Sequence, residues 1–190
     1  MITDIVAQRV EAACQQADNK LTSAFYPEHI LVVADSCERL GNELHADREI
    51  LLLSALLHDI SAIRDIETLS DHAARSSEAA ESLLRDLDYP RDRAGRIKQT
   101  ILRHSTPIAP GEGSVEEVVL SNADAVSLIV SPSFWLYFAF RVRSMCYEEG
   151  LRWYSRRIAA NWERMIRPAK DMVADRYEQI RTLLPGSKRG

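Results

Sequence analysis

The stretch Ile50-Leu-Leu-Leu-Ser-Ala-Leu-Leu-His-Asp-Ile60 decides the fold. It is the most apolar part of the first half of the chain, and it ends abruptly in His58-Asp59. Asp47 can cap a helix here, with Glu49–Leu57 as its body. Near-continuous apolarity over that length predicts a helix buried on all sides. An imidazole and a carboxylate at the end of a buried helix cost several kcal/mol unless they are satisfied. A metal ion satisfies both, taking a lone pair from one and balancing the charge of the other.

Outward from this helix the pattern stays helical, and no alternating β-branched run persists. Upstream, Thr3–Ala17 reads as a helix, and Pro27 opens another that runs to Leu40 and stops at Gly41. Downstream, Ser70-Asp71 can cap His72–Leu87, and Arg91–His104 follows Pro90. Thr106–Gly113, with two Pro and two Gly, is a loop. Ser114-Val-Glu-Glu117 has the form of a capping box for a helix reaching Val130, where Pro132 interrupts. Two more helices are expected to Leu184, broken near Gly150, with Pro168 kinking or dividing the last. The tail GSKRG should fray.

Composition agrees with a globular chain: 46% hydrophobic and 27% charged residues, with seven Gly and seven Pro. A net charge of -4 gives no general case for nucleic-acid binding, and an anionic substrate needs a local cation. The first residues, MITDIVAQRVEAAC, do not read as a signal peptide, and no apolar run approaches the roughly 20 residues of a membrane span. Cys14, Cys37 and Cys146 form neither a disulfide framework nor a zinc knuckle, so a cytoplasmic protein with reduced thiols is expected. The aromatic segment Phe134–Phe140 reads as core or dimer interface. The basic set Arg152, Arg156, Arg157, Arg164 and Arg167 reads as a solvated helix face.

Two further residues belong with His58-Asp59. Asp124 sits within the apolar helical run Leu120–Ile129, and His104 continues the Ile97–Ile101 face of its helix. His45 reads as a surface residue in a turn.

The ordered set His29, His58-Asp59 and Asp124 resembles the H…HD…D signature of the HD-domain superfamily of metal-dependent phosphohydrolases. It is carried by PEHILVVADSCERLG, ILLLSALLHDI, ILRHS and LSNADAVSLI. The resemblance spans about Pro27–Ile129; with the chain's length and helical pattern it gives a single all-α domain over 1–190, with an HD core at about 20–130 and a helical extension at 133–185. It implies a divalent metal (Mn, Fe, Co, Ni, Mg or Zn, one ion or two) held by His29, His58, Asp59 and Asp124. His72 and His104 would complete a second site bridged by Asp59, or serve as acid, base or phosphate contacts. Activated water would then attack a small phosphate ester or nucleotide. Two departures bear on the substrate: Val32 stands where many relatives have an Arg, and HDISAIRD replaces a Gly-Lys-type sequence. Arg64, Arg75 and Arg103 are the candidate replacements for that cation. The same departures admit a metal- or nucleotide-binding regulator without turnover, and the superfamily also hosts di-iron oxygenases. A homodimer is one use for the C-terminal helices.

Overall fold

The computed structural model describes residues 1–184, and the tail GSKRG lies outside them. The elements are α1 (Ile2–Cys14), α2 (Leu31–Leu44), α3 (Arg48–Leu57), α4 (Ile60–Arg64), α5 (His72–Asp86), α6 (Arg91–Leu102), α7 (Val115–Val130), α8 (Pro132–Tyr137), α9 (Tyr147–Arg164) and α10 (Arg167–Leu183). No strand occurs among the described residues, so the chain is all-α. Within them no single helix is long and apolar enough to cross a membrane.

Helix α7 is central. Every residue from Glu116 to Ile129 is buried except Asp124. It packs against α2, α9 and α10. One apolar cluster joins α2, α7, α9 and α10, and a second joins α1, α3, α5, α6 and α8. Helix α3 feeds both, Leu51 and Ala55 to the first and Ile50, Leu53, Leu56 and Leu57 to the second. That is the physical reason its sequence is apolar all round. Trp135 and Trp153 pack against both clusters.

The helix starts follow the sequence. The Asp47 side chain accepts from Ile50 N–H. Ser114 and Glu117 form a reciprocal capping box. Asp71 precedes α5, but its carboxylate takes Arg75 instead of capping.

Several helix ends differ from expectation. Helix α1 stops at Cys14, whose carbonyl accepts from the Asn19 side chain. Helix α2 runs through Gly41 and ends at His45, an exposed residue with φ 58°. Gly41 is a packing residue: a Cβ there would lie 2.5 Å from Leu51 Cδ1. Gly150 likewise lies inside α9, where a Cβ would collide with the Phe140 ring. The break falls earlier, at 143–146, with Ser144 at φ 53°. Pro168 divides rather than kinks: α9 ends before extended Met165 and Ile166, and Pro168 sits in the first turn of α10.

Two π-helical turns interrupt the α pattern, Tyr26–Ile30 before α2 and Phe138–Val142 after α8. Both border the site described next. Such turns re-aim side chains and are frequent at functional sites.

Candidate metal centre

Five segments converge on one point. His29 comes from the first π turn, His58 and Asp59 from the α3–α4 junction, His72 from the start of α5, His104 from the turn after α6, and Asp124 from mid-α7. Helix α3 ends at Leu57, and Asp59 leaves helical geometry at φ -116°. That break lets two adjacent side chains face one place, with His58 Nε2 3.4 Å from Asp59 Oδ2.

Asp59 stands between two imidazole pairs. Its Oδ2 lies 3.2 Å from His29 Nε2, and its Oδ1 lies 3.5 Å from His72 Nε2 and 3.6 Å from His104 Nε2. Asp124 Oδ1 joins the first group, 3.6 Å from His29 Nε2 and 3.9 Å from His58 Nε2. Two sets of potential ligands result: His29–His58–Asp59 and Asp59–His72–His104.

The outer ring nitrogens are anchored. His58 Nδ1 meets the Ala55 carbonyl at 2.7 Å, His104 Nδ1 meets Ile101 at 2.7 Å, and His72 Nδ1 meets Leu69 at 2.9 Å. A carbonyl only accepts, so each Nδ1 carries the proton. His29 Nδ1 lies 2.9 Å from Ser127 Oγ, and that hydroxyl donates its only proton to the Asp124 carbonyl at 2.7 Å. His29 Nδ1 therefore donates as well. All four Nε2 atoms are left to point inward, in pairs 2.9 and 3.2 Å apart. Two lone pairs at that distance repel unless a proton or a cation lies between them. Asp59 Oδ1 is buried without a hydrogen-bond partner. Converging lone pairs, an unpartnered carboxylate oxygen and anchored outer nitrogens are what a divalent cation with imidazole and carboxylate ligands requires. The residues present fit such an ion.

Electrostatics point the same way. Burial disfavours the protonated form of His58, yet the Asp59 and Asp124 carboxylates outweigh it and raise its pKa to about 9. Burial lowers that of His29. Burial also opposes ionisation of Asp59, but His58 and the surrounding imidazoles hold its carboxyl well below the usual range. A proton on His58 thus occupies the place of a cation and donates to His29 across 2.9 Å.

A cavity of about 140 Å³ opens above Asp59, Asp124, His72 and His104. None of the three arginines expected to replace the missing cation, Arg64, Arg75 and Arg103, lines it. Arg64 is exposed on a groove beside Arg9 and Gln16. Arg75 is exposed and paired with Asp71. Arg103 is held by Glu117 and the Glu112 carbonyl, where it braces the loop before α7. The cations on the cavity wall are Arg143 and Arg157. Arg157 belongs to the set read as a solvated face, and Arg143 carried no signal in the sequence. Trp135 and Phe138, expected as core or interface, form cavity wall together with Trp153. Ser127 was also missed; its position three residues after Asp124 was the available clue.

Fold and site define a helical protein built around a shared-carboxylate His/Asp cluster able to hold metal ions. Residues 26–129 match the family model of the HD domain, and every residue of the cluster lies within the match. The match covers more than half of the chain, which therefore belongs to the HD-domain family. The fold resembles the crystal structure of a predicted HD superfamily hydrolase from an uncultured Thermotogales bacterium. The TM-score is 0.65 at 19% identity, over 95% of this chain and 87% of that one. No curated protein matches.

Proposed function

We propose that the protein is a metal-dependent phosphohydrolase acting on a small phosphate ester or nucleotide. The observation that carries this reading is the division of Asp59 between two imidazole pairs, with Oδ1 buried and unpartnered. His29, His58, Asp59 and Asp124 would hold one divalent ion, and Asp59, His72 and His104 a second. When bound, such ions supply Lewis-acid activation of water and neutralise phosphoryl charge. The protein's own part is placement. Backbone carbonyls and Ser127 fix the ring orientations before substrate arrives. The buried setting of His29, His58 and His104 keeps bulk water from their inner nitrogens. His72, the half-exposed member, faces the cavity and is the histidine placed to meet a phosphoryl oxygen or carry a proton.

The test is a panel of phosphate monoesters, diesters and nucleotides assayed against protein loaded with Mn, Fe, Co, Ni, Mg or Zn. The expected result is phosphate release that Asp59→Asn abolishes. Full metal loading with no turnover of any ester would reject the hydrolase in favour of a binding regulator on the same scaffold.

A further inference from the structure

We infer that the substrate is a phosphate ester whose leaving group combines an aromatic body with a second anionic group. The body would lie against Trp135, Phe138 and Trp153, and the anion would meet Arg143 and Arg157. The inference rests on the preceding reading, in which the His/Asp cluster takes the phosphoryl group.

The cavity wall has two kinds of surface. Trp135 and Phe138 meet edge-on with ring centroids 5.5 Å apart, and Phe138 and Trp153 are tilted with centroids 5.7 Å apart, so three rings in contact make an aromatic wall. A cavity of about 140 Å³ is of the size that accepts one aromatic ring. Arg143 and Arg157 are the cationic side chains among its lining residues. Neither has a side-chain hydrogen bond or ion pair among the described residues, in contrast to Arg75 and Arg103, which are engaged by carboxylates. A chain of net charge -4 with two carboxylates at the cavity floor repels anions unless such cations stand nearby.

The placement of these groups is built into the fold. Arg143 leaves the second π turn with its N–H bonded to the Phe138 carbonyl. Gly150 lets α9 settle on Phe140. On α9, Trp153 and Arg157 are four residues apart and share one face. All five residues lie outside 26–129, so this wall is supplied by the part of the chain beyond the family match.

The test compares two phosphonates with non-cleavable C–P bonds, benzylphosphonate and 4-carboxybenzylphosphonate. They are titrated against the tryptophan fluorescence of the full-length protein, loaded with the divalent ion that raises its melting temperature most. The carboxylated compound should bind about tenfold more tightly, the size expected of a charge-assisted contact. The double variant Arg143→Ala/Arg157→Ala should bring the ratio of the two dissociation constants close to one. Arg143→Lys/Arg157→Lys should keep part of it. Equal affinities in the wild type, no binding of either phosphonate, or a ratio that survives the alanine pair would overturn the inference. Hydrolysis is not read, so an inactive protein would reject the hydrolase proposal while leaving this result legible.

Discussion

Replacing Ser127 by Ala removes one oxygen from a site it does not itself complete. Ser127 is fully buried, accepts from His29 Nδ1–H at 2.9 Å and donates to the Asp124 carbonyl at 2.7 Å. In the variant the His29 donor is left in the interior with no partner, a cost of about 1–3 kcal/mol. The better helix propensity of Ala returns only about 0.5 kcal/mol. His29 can then carry its proton on Nε2, the nitrogen that faces Asp59. Loss of such an orienting partner weakens metal binding by about 10–100-fold. Chelator competition with each divalent ion gives the affinity, and urea unfolding of the metal-free protein gives the stability. A Ser127→Ala protein that binds metal as tightly as the wild type would show that His29 does not need its outer nitrogen held.

The pH dependence of the metal-free protein follows from two shifts of opposite sign. His58, raised to about 9 from 6.5, contributes stability that is complete below 6.5 and lost as pH rises through 9; the difference is about 3 kcal/mol. His29, lowered by burial, works the other way and removes stability as pH falls below 6.5. Urea midpoints of chelator-treated protein should therefore peak near pH 6.5, and a monotonic rise to pH 9 would contradict the assignment of His58. Metal uptake at pH 7 should release the His58 proton, measurable as a buffer-dependent heat in calorimetry. Asn122 is fully buried, donates to the carbonyls of Ile108 and Val118 and accepts from Ile166 N–H, so it ties the loop before α7 and the α9–α10 junction to the central helix. Asn122→Ala should lower the unfolding free energy by about 2–4 kcal/mol; a loss within error of zero would show that these bonds are replaced by water.

The members of the His/Asp cluster were legible because polar residues in an apolar helical context have few explanations. His58-Asp59 ends a near-continuous apolar helix, Asp124 interrupts the most buried one, and His104 extends an apolar face. Capping residues fixed the starts of α3 and α7 for the same local reason. What was not legible depends on contacts distant in sequence. Gly41 and Gly150 read as helix stops because local propensity cannot see Leu51 or Phe140 packed against the missing Cβ. Arg143 and Arg157 look like ordinary surface cations until α9 folds back beside the site, while Arg103 looks like a phosphate ligand until Glu117 takes it. Ser127 is unremarkable in a helix, and only the arrival of His29, 98 residues earlier, gives its hydroxyl a role.

In the proposed function one carboxylate, Asp59, joins two metal-binding half-sites. Elemental analysis of protein reconstituted with each divalent ion and freed of excess tests it most directly, with Asp59→Ala run beside the wild type. Up to two ions per chain are expected in the wild type and none in the variant, in a protein that remains folded by circular dichroism. An Asp59→Ala protein that keeps the wild-type metal content would contradict it.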